Sequence, residues 1–196
     1  MALVVVDIQA GATTGEDPLA VVGQHEAIAA AADVLAAARE VGLPVVHFKE
    51  VHRKEMVDFG RELDGTEPVH CLETWPGTDY HPAVYPRDGE FPMHKRRYSC
   101  FVATDLDLLL RGLRVDTVVL VGSMTDVCVH YTFADAHQLD YHAHVVEDAV
   151  YGSSWEAHHA ALRAMAYLQR DARLTRSEFV AAARVAQGQT TDSDSQ

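Results

Sequence analysis

Apolar positions fall along this chain in two alternating rhythms. Residues 3–8 are apolar apart from Asp7, a continuous run that reads as a strand covered on both faces and closed by a carboxylate. Residues 25–41 follow a helical period, with Ile28, Val34, Leu35 and Ala38 on the apolar side and Gly42 and Pro44 as the stop. Residues 45–48 form a second apolar run, so the order strand, helix, strand predicts a right-handed crossover in a parallel sheet. A brief strand is expected at 91–94. A helix is expected at 104–113, with Thr104 as N-cap, Asp105 and Asp107 in the first turn and Arg111 near the end. Val118 to Val121 form another buried strand, which breaks at Gly122. A helix over 125–139 follows, carrying Val129, Phe133 and Ala136 inward, with Thr125 or Asp126 as its cap. Residues 142–146 read as a strand ending at Glu147–Asp148, 154–168 as a helix, 172–175 as an edge strand and 176–185 as a last helix.

The sum is one α/β domain over 1–187, a three-layer α/β/α sandwich with a mostly parallel sheet of five or six strands. The polar residues 188–196 are expected to be a disordered tail. The segment 49–93 breaks both rhythms. It holds Pro68, Pro76, Pro82 and Pro86 together with Trp75, Tyr80 and Tyr85, too aromatic for a free linker. It reads as an ordered loop walling a pocket at one end of the sheet.

Composition narrows the function. Sixteen basic against twenty-nine acidic residues leave a net charge of −13, which disfavours a nucleic-acid partner. No apolar run approaches a membrane span, and Met1 leads straight into the first strand without a basic leader, so no membrane association is expected. Three widely spaced cysteines argue for a reducing compartment, with the cytoplasm as the default.

The candidate chemistry gathers at strand ends. Asp7 closes the first strand, Lys95 the short strand before Thr104, and Cys128 begins the helix after Gly122. The carboxyl ends of parallel strands share one edge, where open sheets place ligands, and a helix terminus there favours a thiolate. Cys128 then serves as nucleophile, Asp7 as base and Lys95 as the cation that holds both. Backbone amides of the Ser123–Met124–Thr125 turn and of Cys128 are the candidate oxyanion hole, Met124 and Cys128 its residues. Packing is the bland alternative for a lone buried cysteine. A rival constellation is Glu50-x-His52 with His70, a legitimate Zn²⁺ or Fe²⁺ set. Its bland reading pairs Glu50 with Arg53 and packs His70 on Trp75. Glu147–Asp148 offers a weaker Mg²⁺ pair, with capping as the alternative. No dinucleotide or phosphate loop follows the first strand.

Three segments carry a resemblance: Val4–Val5–Val6–Asp7–Ile8–Gln9, Lys95 with Arg97–Tyr98–Ser99–Cys100–Phe101, and Val121–Gly122–Ser123–Met124–Thr125–Asp126–Val127–Cys128–Val129. Their sequence and order, over residues 2–180, are similar to those of the isochorismatase-like cysteine hydrolases. The resemblance implies a Rossmann-like sheet, the triad Asp7, Lys95 and Cys128, a cis peptide at Ser123–Met124 that shapes the oxyanion hole, and a homodimer or homotetramer. Isochorismatases cleave a vinyl ether and generally lack the cysteine. Cys128 therefore points to hydrolysis of the C–N bond of a small carboxamide or carbamoyl/ureido compound through a thioester, with release of ammonia. Nicotinamidases in the family carry Asp-x-His and a later histidine on metal. Here Glu50 replaces the aspartate, so no cofactor is the first expectation and Zn or Fe at Glu50, His52 and His70 the alternative. Gln9, Trp75, Phe101, Thr125 and Tyr131 are the expected substrate contacts. Tyr131 is placed there by sharing a helix face with Cys128. A non-catalytic α/β binding protein is the reading from outside the enzyme class.

Overall fold

Strand β1 (Ala2–Val6) is buried at every position and lies inside a six-stranded sheet of order β3-β2-β1-β4-β5-β6. A computed structural model describes residues 1–15 and 18–193, with side chains described to residue 185. Its other strands are β2 (Val45–Glu50), β3 (Phe91–Lys95), β4 (Thr117–Ser123), β5 (His142–Tyr151) and β6 (Arg173–Leu174), and all pairings are parallel. Both outer faces are covered. Helices α2 (Gln24–Glu40) and α6 (Arg176–Ser193) lie on one, where Ile28, Val34, Leu35 and Phe179 pack on Leu3, Val5 and Val119. Helices α3 (Leu106–Gly112), α4 (His130–Gln138) and α5 (Trp155–Leu168) lie on the other, where Leu110, Phe133 and Met165 meet Val4, Val6 and Leu120. Successive β1 residues thus feed opposite layers, which is why the run shows no polar alternation. A four-residue helix, α1 (Gly11–Thr14), follows β1.

The strand order reverses direction between β1 and β4, and such a switch point opens a crevice at the carboxyl edge. β1 and β4 are pressed together there. Gly122 stands opposite Val6, and a Cβ on it would lie 1.9 Å from the Val6 carbonyl oxygen, so only glycine fits.

Several boundaries differ from the sequence expectation for identifiable reasons. β5 does not end at Glu147–Asp148. Its ladder with β4 slips between Leu120 and Gly122, and the two acids leave it to meet Arg173 and the Arg176 amide before Val150 resumes opposite Gly122. Asp148 therefore caps α6, and Glu147 pairs with Arg173 at 2.6 Å, which leaves no Mg²⁺ pair. Thr104 Oγ1 accepts from the Leu106 amide at 3.3 Å and donates to the Cys100 carbonyl, so it caps α3 from two residues before the helix. The last helix continues to Ser193, through residues expected to start the polar tail, because each added residue extends an existing helix by one hydrogen bond. Residues 194–196 of that tail lie outside the described residues. The segment 49–93 is ordered around three short 3₁₀ turns, Glu62–Asp64, Pro76–Thr78 and Pro82–Val84. No helix among the described residues is long and apolar enough to cross a membrane.

Candidate active site

Asp7 stands one residue past β1 with φ +48, in the left-handed region that Asp tolerates better than most residues, and its amide donates to the Phe48 carbonyl. The register of β2 and β3 sets Glu50 opposite Lys95 at their common end. Across the edge, β4 ends in a cis peptide at Ser123–Met124, and the chain enters a wide turn, Thr125–Val129. The Met124 carbonyl accepts from both the Val127 and the Val129 amides at 3.0 and 3.1 Å, a π-type turn rather than the first turn of an α-helix. Thr125 and Asp126 do not cap it. Thr125 Oγ1 is bonded to His158 Nδ1 at 2.9 Å, and Asp126 accepts from the Ser153 amide and hydroxyl, so both anchor the turn to the start of α5. Cys128 is held buried in this turn.

Three of these side chains converge on Lys95. Its Nζ lies 2.7 Å from Asp7 Oδ2, 2.5 Å from Glu50 Oε2 and 3.4 Å from Cys128 Sγ, and its side chain is wholly buried. The Asp7 contact is an ion pair outside hydrogen-bond angles, while the Glu50 contact is a hydrogen bond. Cys128 Sγ is 3.7 Å from the same Glu50 oxygen. Burial alone would discharge the ammonium, but Asp7, Cys128 and Glu50 outweigh it and hold Lys95 charged far up the pH scale. Burial pushes Asp7 up to about 6, against the pull of Lys95, with Glu50 adding to the rise. Burial likewise pushes the Cys128 thiol well up, although Lys95 draws it down. At neutral pH the sulfur therefore keeps its proton while Asp7 is largely ionised, the state a base needs before it acts.

Glu50 faces two ways. Its other oxygen, Oε1, lies 3.0 Å from His52 Nε2 and 3.1 Å from His70 Nε2. Burial would raise its carboxyl, but Lys95 and then the two imidazoles hold it well below the usual range. Arg53 is not its partner and lies 3.9 Å from Asp58, and His70 sets its ring edge against Phe59, on which His52 also stacks. A fourth group, Glu62, lies buried with Oε2 3.2 Å from His52 Nε2. Glu50, His52, Glu62 and His70 all bring a donor atom within 4.8 Å of one another.

This set fits a Zn²⁺ or Fe²⁺ ion on two observations. His52 Nε2 faces two carboxylate oxygens, one more than a single N–H serves, and the buried Glu62 oxygens receive no hydrogen bond. His70 Nδ1 is bonded to the Pro68 carbonyl, which turns Nε2 toward the cluster. Protons satisfy the same groups. Burial opposes charge on His52, yet the hydrogen bond with Glu50 and the nearby Glu62 carboxylate bring it up to about 9, and His70 is raised by Glu50 and the Pro68 carbonyl.

A narrow cleft of about 40 Å³ opens over Cys128, with Asp7, Glu50, Met124, Glu67 and Tyr98 among its walls. Of the expected substrate contacts only Gln9 reaches it, and both its amide hydrogens are committed to the Glu50 and Thr78 carbonyls. Gln9 therefore ties β2 to the loop. Trp75 lines a neighbouring cavity with Cys71 and Pro76. Phe101 packs on Tyr141. Thr125 is fully buried against His158. Tyr131 is half exposed and stacks on Tyr98, because the π-type turn removes the helical phase that would have aligned it with Cys128. Glu62, Glu67 and Tyr98 were not anticipated. The two acids lie in the aperiodic segment, where only an acid destined for burial would have stood out, and burial leaves no mark in sequence. Tyr98, three residues past Lys95, was within reach of a strand-end argument.

A thiol, a carboxylate and an ammonium meeting at the switch point of a doubly wound parallel sheet define a cysteine hydrolase. Residues 1–179 match the model of the isochorismatase domain family, and the chain belongs to that family. It is 34% identical over 163 residues to maleamate amidohydrolase of Pseudomonas putida, covering 82% of this chain and 76% of the relative. It is 31% identical to ureidoacrylate amidohydrolase of Methylobacterium radiotolerans, covering 81% and 70% of the two chains. Pyrazinamidase/nicotinamidase from Streptococcus mutans has the same fold, with a TM-score of 0.80, 31% identity and coverage of 88% of this chain and 99% of its own. The chain is an enzyme, not a fold kept for binding.

Proposed function

We propose that this protein hydrolyses the C–N bond of a small carboxamide or carbamoyl/ureido compound, with Cys128 as nucleophile, Asp7 as base and Lys95 as their common cation. The observation that carries this reading is the buried Lys95 ammonium, set 2.7 Å from Asp7 and 3.4 Å from the Cys128 sulfur, behind a cleft that Asp7 and Cys128 both line. Asp7 takes the thiol proton, and the sulfur attacks the carbonyl carbon. The backbone amides of Met124 and Cys128 receive the oxyanion. As the C–N bond breaks, the leaving nitrogen takes the proton from Asp7 and departs as ammonia, leaving a thioester on Cys128. Asp7 then takes a proton from water, the resulting hydroxyl attacks the thioester, and the thiolate is reprotonated as the acid leaves. Lys95 moves no proton. It stabilises the thiolate and keeps Asp7 aimed at the sulfur. The acid excess and the small cleft support a small-molecule substrate over a nucleic acid. We place the protein in the cytoplasm as a homodimer or homotetramer.

The base must be ionised, so kcat/KM is expected to rise with pH through about 6, the value of Asp7, and to level above it. A stopped ammonia assay across pH 4.5–8 checks this, and a profile flat across that limb would remove Asp7 from the role.

Glu62 favours a second reading, the same hydrolase with a resident metal held by Glu50, His52, Glu62 and His70. Bound there, the ion supplies a Lewis acid beside the cleft, and the proton path from Cys128 to Asp7 stays as described. An ammonia-release screen over nicotinamide, carbamoylated amino acids, biuret and ureides tests the function, and no ammonia from any of them would sink it. Elemental analysis of the same protein, purified without added metal, separates the two readings. Full activity in metal-free protein is the expected outcome of the first. Stoichiometric Zn or Fe that is lost on His52→Ala establishes the second.

A further inference from the structure

The cleft over Cys128 carries a carboxylate, Glu67, with no ion pair or hydrogen bond among the described residues. Asp7 and Glu50 are balanced by Lys95 beneath them, while Glu67 stands half buried in the wall. No arginine or lysine lines the cleft among those residues. The cations of the adjoining segment are spent elsewhere. Arg96 Nε lies 2.7 Å from Asp58 Oδ2, and Arg97 Nη1 donates to the Asp58 and Arg96 carbonyls. The one nearby imidazole, His70, is held between Glu50 and the Pro68 carbonyl. Leu19, Val21 and Val127 complete an apolar wall that offers a carboxylate nothing.

Maleamate and ureidoacrylate, for which two relatives are named, each carry a carboxylate besides the bond to be cleaved. Such a group in this cleft would lie near Glu67 with little water and no lysine or arginine to pair with, the His70 imidazole being already committed to Glu50. From the amidohydrolase reading and this charge arrangement, we infer that the enzyme selects an uncharged amide that presents N–H donors to Glu67, and discriminates against amides bearing a carboxylate. Glu67 is then the specificity-determining residue. Burial, with Glu50, Glu62 and Asp126 and against His70, already pushes its carboxyl up, a penalty that an N–H donor relieves and a second carboxylate deepens.

Maleamate and its diamide, maleamide, share one carbon skeleton and differ in that charge. Binding of each to Cys128→Ser, measured by titration calorimetry, tests selectivity apart from chemistry. The diamide is expected to bind at least about tenfold more tightly, the scale of one like-charge contact in a partly buried site. Glu67→Gln is expected to narrow the ratio by improving maleamate, and Glu67→Arg to invert it. In the wild type the same changes are expected chiefly in KM. Equal or tighter binding of maleamate overturns the inference, as does a ratio that neither Glu67 variant moves. Selective binding of the diamide by Cys128→Ser, with no ammonia from the wild type, supports the selectivity and sinks the hydrolase reading instead.

Discussion

Replacing Lys95 by methionine is expected to destabilise the protein by about 3–5 kcal/mol, the range for breaking a buried ion pair from one side, and to abolish hydrolysis. The side chain is wholly buried and contacts two carboxylates, Asp7 and Glu50, at 2.7 and 2.5 Å. Methionine fills nearly the same volume, so packing is spared and the loss is electrostatic. The two acids then face each other without a cation, and at least one must take up a proton to stay buried. The sign of the pH effect follows. Asp7 already titrates at about 6 in the folded chain, above the 3.8 of an unperturbed Asp, and losing Lys95 raises it further. A group raised on folding contributes stability that is intact below its unfolded value and is lost as pH rises through its folded one. Urea titrations at pH 5 and pH 8 check this. The deficit of Lys95→Met is expected to be larger at pH 8, and equal deficits would show that the ammonium is not what holds the carboxylates.

Much of this arrangement was legible because strand ends are easy to find. Val4–Val5–Val6 and Val118 to Val121 announce buried parallel strands, and the topology carries their carboxyl ends, with Asp7 and Cys128, to one edge. Glu50, His52 and His70 are legible as a set, but sequence spacing makes that set a rival to the triad. It is in fact continuous with it, since one Glu50 oxygen bonds Lys95 and the other faces both imidazoles. Sequence spacing does not say which way a carboxylate faces. The lining of the cleft is less legible for a related reason. Tyr131 was placed by helical phase, and the turn at Thr125–Val129 abandons that phase. Glu62 and Glu67 lie in a segment with no period at all, where placement depends on the packing of Phe59 and His70 rather than on any local rule.

In the proposed mechanism the sulfur of Cys128 makes the bond to carbon. Alanine removes the nucleophile while leaving Asp7, Glu50 and Lys95 in place. Losing one small buried side chain of low polarity costs the fold little beside losing a charged partner. Among the described residues the one other thiol lining the cleft is Cys71, and its sulfur lies 3.8 Å from Gln9 Oε1. The most direct measurement is ammonia release by Cys128→Ala from the best uncharged amide of the screen, on protein whose melting curve shows it folded. The expected result is a fall of at least roughly 10³-fold, the scale on which nucleophile deletions act. Ammonia release by Cys128→Ala at the wild-type rate would contradict the thioester mechanism outright.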